Sequence, residues 1–298
     1  MTAIRLSIVI GVQHAQANLV DIMRMLRPPA HPAVEFIFCH TDADADVPAL
    51  VGTEGQVRAL RSPEGSLIPH LWRDGILAAR GERICTATAH CVPTADWVDA
   101  LLGAELGQTV AAGGTIENDP NSNAIGRAIF LQRYATYSPP QEKREVHDLA
   151  ADNALYLLSQ LSRHTDLLQH GFWEPSFHKR FQAEGLRMAL DPSLRVIHRN
   201  RYGAGQYMRQ RLAHGREFGL TRAMAYGLPR RLLLLVLAPA VLPLMLSRIL
   251  WRALSKPALR KQLATAWFWL PLFVLAWVVG EASGYQASLW IRQPSPTK

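Results

Sequence analysis

Cysteine is scarce in this 298-residue sequence, which contains only Cys39, Cys85 and Cys91. The count is odd and no Cys-x-x-Cys pair occurs, which predicts a reducing compartment where the thiols serve as small core side chains. Internal repeats and low-complexity segments are also lacking. The apolar run nearest the N-terminus, residues 6–12, is short for a signal peptide and suits a first β-strand.

Acidic residues are few in the region that precedes the C-terminal apolar runs. From Ser176 to Arg231 there are twelve Lys and Arg residues and three acids, whereas the whole chain has a net charge of +8. Such a basic belt before an apolar segment indicates an anionic membrane surface or a phosphate-bearing ligand. Nucleic acid is the competing partner, but no nucleic-acid-binding motif accompanies the charge.

Two apolar runs follow the belt, Leu232–Ser247 and Leu263–Gly280, of sixteen and eighteen residues without charge. The first would span ~24 Å as a helix, a little less than the ~30 Å hydrocarbon core of a bilayer. Two buried helices of a soluble protein are the alternative. The sequence therefore predicts a domain over residues 1–222 and a membrane-associated helical segment over residues 223–298.

The connector between the runs, Arg248–Gln262, carries five Lys and Arg residues and no acid. Two full crossings would place it opposite a cytoplasmic domain, against the positive-inside tendency. The sequence therefore favours a hydrophobic helical hairpin that does not cross the membrane cleanly twice.

Continuous apolar runs alternate with helical patterns in the first half of the chain. Strands are predicted over residues 5–12, 33–40, 56–62, 83–89 and 109–118. The order predicts an α/β fold with a mostly parallel sheet flanked by helices. In such sheets ligands bind at the carboxyl ends of the strands. Gly11, Gln13, His40 and His90 fall at these ends.

Two of the intervening helices have predicted end signals. Gly81 is expected to terminate a helix over residues 66–81, and Thr94 is expected to cap the start of the next one. A further helix is expected from residue 130, before a loop rich in proline and charge.

A series of short matches in order, over about residues 5–222, resembles the family-2 inverting glycosyltransferases of the GT-A fold. These are "LSIVIGV", "VEFIFCH", "SLIPHLWRDGILAARGERI", "TAHCVPTADW", "AADNALYLL" and "WEPSFHKRFQAEGLRMALDPSLRVIH". "QYMRQR" at 206–211 resembles the Gln-x-x-Arg-Trp motif of processive members without its Trp, which weakens a prediction of polymer synthesis. The helix around it, Tyr202 to Arg222, is expected to be basic, amphipathic and interfacial.

The resemblance departs from the family at the metal motif. Alignment on Pro93 puts Thr88 and His90 where the family has two aspartates that hold Mg²⁺ or Mn²⁺ on the donor diphosphate. Hard divalent ions prefer carboxylates, although neutral imidazole can bind Mn²⁺. His90 and His198, which matches the family's terminal histidine, are therefore the candidate ligands of a weakly held Mn or Mg ion.

Alignment on Arg180 puts Glu174 at the position of the catalytic base. Inverting transfer needs one carboxylate that takes the proton of the acceptor hydroxyl. An ordinary glutamate in a first helical turn is the alternative. His178 shares the helical face of Glu174, and Asn153 lies in the loop that the resemblance assigns to the acceptor.

The resemblance also implies a set of residues around the nucleotide and diphosphate of the donor. The expected donor-binding residues are Gly11, His40, Asp42, Arg73, Thr88, His90 and Arg199. Arginines near His198 are expected to neutralise the leaving diphosphate.

The resemblance implies a membrane-associated glycosyltransferase, of the hexosyltransferase type, that binds a nucleotide sugar. Its acceptor would be a lipid-linked or surface-glycan hydroxyl of the cell envelope, and it would lie in the inner membrane with the catalytic domain in the cytoplasm. Two alternatives stay open: a degenerate relative that binds nucleotide sugar or serves as a scaffold, and a membrane-bound nucleotidyltransferase that releases pyrophosphate.

Overall fold

The structure is a computed structural model and describes residues 3–53 and 55–291. Its strands form one sheet. They are β1 (Leu6–Gly11), β2 (Val34–His40), β3 (Val57–Arg61), β4 (Arg83–Thr88), β5 (Cys91–Pro93), β6 (Thr109–Asn118), β7 (Arg144–Val146), β8 (Asn153–Leu157) and β9 (Arg187–His198).

Helices follow most of the strands and form the C-terminal part of the chain. The α-helices are α1 (Leu19–Leu26), α2 (Val47–Val51), α3 (Ile68–Ala78), α4 (Trp97–Gly103), α5 (Ala124–Tyr134), α6 (Leu158–Leu161), α7 (Thr165–Leu168), α8 (Glu174–Ala183), α9 (Ala204–Met224), α10 (Leu228–Ser255), α11 (Pro257–Ala266) and α12 (Trp269–Ser288).

The sheet is parallel in its first half and mixed in its second. The strand order is β3-β2-β1-β4-β8-β6-β9-β5, with β7 beside β9. β1 to β4 pair in parallel, and so do β6 and β9, whereas β8, β5 and β7 pair antiparallel with their neighbours. The predicted α/β class and the parallel order of the first four strands are confirmed.

The central strands read as continuous apolar runs because both faces of the sheet are covered. Every residue of β1 and β2 is buried. α3 lies directly on β1, since a Cβ added at Gly75 would come within 2.2 Å of a Val9 side-chain carbon. The start of α3 lies at the carboxyl end of β1, since a Cβ added at Gly11 would lie 3.2 Å from Cδ1 of Ile68.

Three predicted helix ends were wrong. α3 ends at Ala78, three residues before Gly81. Glycine is needed at position 81 for a different reason, because a Cβ there would lie 2.7 Å from the backbone of Leu6. α4 begins at Trp97 after the cap position Asp96, whose carboxylate accepts a hydrogen bond from the Thr94 hydroxyl at 2.6 Å. The helix expected from residue 130 begins earlier, at Ala124, where the Asn123 side chain accepts from the Gly126 N–H.

Contacts divide the chain into two compact units. The first comprises residues 1–120 and 137–201 and contains the sheet; the second comprises residues 121–136 and 202–298. Residues 202–222 therefore pack with the C-terminal helices. The domain boundary after residue 222 stays a prediction.

Within the second unit, α9 and α12 pack with their backbones in close contact. A Cβ at Gly215 or Gly219 of α9 would lie 2.4 or 2.3 Å from a carbonyl oxygen of α12. A Cβ at Gly280 or Gly284 of α12 would meet carbonyl oxygens of α9 at 2.3 and 2.2 Å. α9 is the basic helix expected at a membrane interface, and one face of it is taken up by this packing.

The first apolar run of the sequence lies inside α10, whose most apolar window has a mean hydropathy of 2.2 and is 11% buried. In the part of the chain that the structure describes, α10 alone is long and apolar enough by itself to cross a membrane. α11 and α12 meet at 79° and qualify only if the bent pair counts as one span. The expected hairpin that does not cross the membrane cleanly twice stays a prediction.

Candidate functional site

The carboxyl ends of β1, β4 and β9 form the core of the candidate site. Gly11 lies opposite Thr88 in the register of β1 and β4, and its carbonyl accepts from the Ala89 N–H at 3.0 Å. The carbonyl of His90 accepts from the Arg199 N–H at 2.7 Å. The structure therefore brings together five of the predicted donor and metal residues: Gly11, Thr88, His90, His198 and Arg199.

His90 is buried and hydrogen-bonded to the loop that follows β1. Its Nε2 lies 3.0 Å from the main-chain oxygen of Gln13. A carbonyl oxygen only accepts hydrogen bonds, so Nε2 carries a proton and donates. A protonated nitrogen has no lone pair for a metal, and this bond therefore keeps Nε2 of His90 from acting as a ligand.

Thr88 is buried beside a carboxylate that comes from another strand. Its hydroxyl donates to Oδ1 of Asp152 at 3.1 Å. β4 and β8 run antiparallel with Ala87 opposite Asn153, so the residue before Asn153 faces the end of β4. A carboxylate is thus present next to Thr88, although residues 88–93, where the resemblance puts the metal motif, contain none.

His198 closes β9 and lies in the buried edge of the sheet. Its Nδ1 is 3.4 Å from Oδ1 of Asn118, its partner in the parallel register of β6 and β9. With the amide oxygen as acceptor, Nδ1 carries the proton and Nε2 keeps its lone pair. Of the two predicted metal histidines, His198 therefore has the tautomer that suits a ligand.

Arg199 is held between two carboxylates. Its guanidinium contacts Asp21 at 2.5 Å and Asp119 at 3.2 Å. The neighbouring arginines are also engaged, Arg195 by Glu117 and Arg201 by the side chain of Asn18. The basic residues expected to neutralise a diphosphate thus have protein partners in this structure.

The amide of Asn18 joins the two segments that carry the predicted ligands. Its Nδ2 donates to the carbonyls of Ala89 and Arg199 at 2.8 and 3.0 Å. Asn18 is buried at the start of α1, and the sequence pattern did not single it out. It fixes the spacing between the ends of β4 and β9.

Asp44, which follows β2, binds the same loop that His90 contacts. Oδ1 of Asp44 accepts from the His14 N–H at 3.0 Å, and His14 has a left-handed backbone with φ of 54°. Burial raises the pKa of Asp44. His40 is buried and bonded to its own neighbour, Thr41, and Asp42 forms an ion pair with Arg61. Asp42 is therefore engaged in an exposed ion pair.

Arg73 and Trp72 lie on α3. The guanidinium of Arg73 pairs with Asp74 at 2.7 Å, and the indole N–H of Trp72 donates to the Ala87 carbonyl at 2.7 Å. Trp72 is buried, with its nitrogen 3.6 Å from the Cβ position of Gly11. This contact favours the reading of Trp72 as a core residue, and the donor contact of Arg73 stays a prediction.

Glu174 and His178 form a second group on the first turns of α8. Nδ1 of His178 lies 2.6 Å from Oδ1 of Asp148, and its Nε2 lies 3.0 Å from the hydroxyl of Tyr156. Because the carboxylate accepts from Nδ1–H, a neutral imidazole accepts from the tyrosine at Nε2. His178 therefore links an exposed carboxylate to a buried phenol.

Glu174 is half-buried and close enough to Tyr156 to influence its ionisation. Burial raises the pKa of Tyr156 well above its usual value, and the charges of Glu174 and Asp148 add to the effect. The phenol thus stays protonated at neutral pH. Glu174 is the first residue of α8, where a carboxylate interacts favourably with the helix dipole.

The side chain of Asn153 forms hydrogen bonds inside the sheet. Its amide nitrogen donates to the carbonyls of Thr115 and Leu194 at 3.2 and 2.9 Å, and its oxygen accepts from the Trp97 indole at 2.9 Å. These bonds favour a structural role, and contact with an acceptor stays a prediction.

The residues at the altered motif do not fit a metal ion held by the protein. Among the described residues, no group of three or more His, Cys, Asp or Glu side chains is arranged to bind a metal. The hydroxyl of Thr88 is bonded to Asp152, and Nε2 of His90 donates to a carbonyl. A hard divalent ion needs several oxygen ligands at once, and this arrangement offers one buried carboxylate.

The chain is similar in fold to two solved glycosyltransferases. One is the mannosyltransferase PcManGT from Pyrobaculum calidifontis in complex with GDP-Man and Mn²⁺, with a TM-score of 0.51, 13% identity, and coverage of 94% of this chain and 88% of that one. The other is GalNAc-T7 with UDP, GalNAc and Mn²⁺, with a TM-score of 0.50, 14% identity, and coverage of 74% and 48%. No protein-family model matches the chain, and no curated protein does. The fold is GT-A-like, as the resemblance implied.

Proposed function

We propose that the chain is an inverting glycosyltransferase that moves a sugar from a nucleotide-diphosphate donor to the hydroxyl of a lipid-linked or surface-glycan acceptor. The observation that carries this proposal is the GT-A-like sheet with Glu174 at the N-terminus of α8. The two solved structures of similar fold were determined with GDP-Man and with UDP. A nucleotide sugar is therefore the donor class to test first.

The donor side of the proposed site is the loop after β1 together with the ends of β4 and β9. His90 and Asp44 bind the main chain of this loop at Gln13 and His14. In the proposal His90 and Asp44 hold this loop against the nucleotide, and His90 itself does not contact the donor. Arg199 contributes positive charge to the diphosphate by exchanging its carboxylate partners for phosphate oxygens.

Glu174 is the proposed general base. It takes the proton of the acceptor hydroxyl as that oxygen attacks the anomeric carbon, while the bond from this carbon to the diphosphate breaks. The nucleoside diphosphate leaves with the bonding electron pair, and the anomeric configuration inverts. No second carboxylate is needed because no covalent intermediate forms.

A tightly held ion has no part in this proposal, because the altered motif does not fit one. The expected result is a turnover that falls by less than tenfold when Mn²⁺ and Mg²⁺ are removed with a chelator. A complete loss that added Mn²⁺ restores would show that the donor brings an ion to the site.

The second unit is proposed to anchor the chain in the inner membrane, with the catalytic domain in the cytoplasm. α10 has the length and apolarity of a spanning helix, and most of its apolar window is uncovered. Flotation of the purified chain with phosphatidylcholine vesicles tests this attachment independently of catalysis.

The central test is sugar transfer by the purified full chain, with a panel of UDP- and GDP-sugars and release of nucleoside diphosphate as the readout. The Glu174→Gln variant is expected to lose ~10²–10⁴-fold in turnover, the usual contribution of a general base. Glu184→Gln, at the other end of α8, is the matched control and should keep wild-type turnover.

Two outcomes contradict the proposal. Full turnover of Glu174→Gln removes the base assignment. Release of pyrophosphate from a nucleoside triphosphate, without hydrolysis or transfer from any nucleotide sugar, assigns the chain to the nucleotidyltransferases instead.

A further inference from the structure

An apolar groove of about 500 Å³ lies within the second unit. Eight residues line it, from the second half of α10, from α11, and from the junction and first turn of α12. Seven of them are apolar, among them Leu250, Trp267 and Leu270, and the eighth is Arg260. The volume is in the range of small-molecule sites, and the lining would hold a hydrocarbon chain.

The one charged residue of this groove has unused donors. Nε of Arg260 donates to the Leu254 carbonyl at 2.7 Å, which anchors the guanidinium at the C-terminal turn of α10. A guanidinium has five N–H donors, so four remain. In the described part of the chain no carboxylate lies within ion-pair distance of Arg260, and the sequence has no acid between Glu217 and Glu281.

Other Lys and Arg residues lie close to Arg260 in the sequence, and three of them also have no acidic partner among the described residues. Arg248, Arg252 and Lys261 form no ion pair among the described residues. The aromatic side chains of Trp251 and Trp267 are exposed in the same stretch. Cations and tryptophans beside an apolar surface are typical of the headgroup region of a bilayer, where basic residues bind anionic lipids.

From this juxtaposition we propose that the groove binds one anionic phospholipid of the bilayer. One acyl chain lies on the apolar lining, and the phosphate accepts hydrogen bonds from Arg260. The positive charge of the connector selects an anionic headgroup over a zwitterionic one. The inference rests on the membrane attachment in the proposed function and does not depend on catalysis.

The probe is an equimolar mixture of phosphatidylglycerol and phosphatidylcholine in nanodiscs that hold the full chain. Native mass spectrometry after mild release measures the lipid retained. We expect one phosphatidylglycerol per chain, at least tenfold over phosphatidylcholine. Arg260→Gln should abolish this preference and Arg260→Lys should keep part of it. Ala264→Trp, which fills the groove, should lower retention of both lipids.

Lys261→Gln is the matched control, because it removes the next cation of α11 without touching the lining. If it lowers the preference as much as Arg260→Gln does, general surface charge explains the binding and the site is refuted. Equal retention of both lipids also refutes it. So does retention of an added polyprenyl phosphate in place of phosphatidylglycerol, or competition by inorganic phosphate alone.

Flotation separates this inference from the proposed function. A chain that floats with phosphatidylcholine vesicles but retains no phosphatidylglycerol overturns only the lipid site. A chain that does not float overturns the membrane attachment, whatever its glycosyltransferase activity.

Discussion

The close packing of α9 on α12 predicts that a single methyl group at Gly219 destabilises the second unit. A Cβ there would lie 2.3 Å from the main-chain oxygen of Glu281, and the nearby atoms are backbone rather than flexible side chain. An ordinary C···O contact is ~3.3 Å, so the two helices must separate by about 1 Å. Small residues are used at such crossings because they let two backbones approach.

Two effects of opposite sign set the size of the change. Overpacking of a close interface costs ~1–3 kcal/mol, and rigid backbone on both sides puts Gly219→Ala near the upper end. Replacement of Gly by Ala inside a helix stabilises it by ~1 kcal/mol. The expected net loss is therefore ~2 kcal/mol, which lowers Tm by ~4–8 °C at about 2–4 °C per kcal/mol.

The assay is thermal unfolding in detergent micelles, followed by far-ultraviolet circular dichroism and tryptophan fluorescence. Gly205→Ala is the matched control on α9, because nothing lies within 4 Å of its added Cβ. It should leave Tm unchanged or raise it. The double variant Gly219→Ala/Gly284→Ala should lose less than the sum of the single losses, since the first methyl already separates the helices. A Gly219→Ala variant that melts at or above wild type would refute the close contact.

Two further predictions concern the first unit. Burial raises the pKa of Glu35, but hydrogen bonds from Ser7 and from the main chain and side chain of Arg80 outweigh this and leave it below its usual value. The ionised carboxylate therefore stabilises the fold above its unfolded pKa of about 4.5, and this contribution is lost as pH falls through the folded pKa. Glu35→Gln should flatten the fall of Tm below pH 5. An unchanged dependence of Tm on pH would contradict the hydrogen bonds of Glu35 with Ser7 and Arg80. Asn153→Ala should lower the free energy of unfolding by ~2–4 kcal/mol, because the Trp97 indole and two carbonyls lose their hydrogen-bond partner. A variant that keeps its stability but binds the acceptor substrate more weakly would instead support a role of Asn153 in acceptor binding.

The local pattern of the chain predicted its first four strands and their parallel order. Continuous β-branched runs such as residues 6–11 require cover on both faces, and that requirement is readable in a short window. The helix that was expected to carry Glu174 and His178 on one face is confirmed as α8, which begins at Glu174. The predicted helix ends were less accurate. Gly81 does not terminate α3; glycine is needed there because β1 packs too closely against this position for a Cβ.

Asp152 and Asn18 show what the sequence pattern missed at the candidate site. Asp152 stands beside Asn153 in the sequence, yet its contact with Thr88 arises from the antiparallel register of β4 and β8. Asn18 joins carbonyls that are far apart along the chain. Neither contact has a local signal, since each depends on which strands become neighbours.

By itself, the sequence determined the α/β class and the apolar C-terminal helices, because composition and periodicity are properties of short segments. Only the tertiary structure decided that His90 donates to Gln13, that Arg199 lies between two carboxylates and that α9 meets α12 through glycine. The physical reason is that hydrogen bonds and backbone contacts act over a few ångströms, and distant residues come within that range only when the sheet and helices have packed.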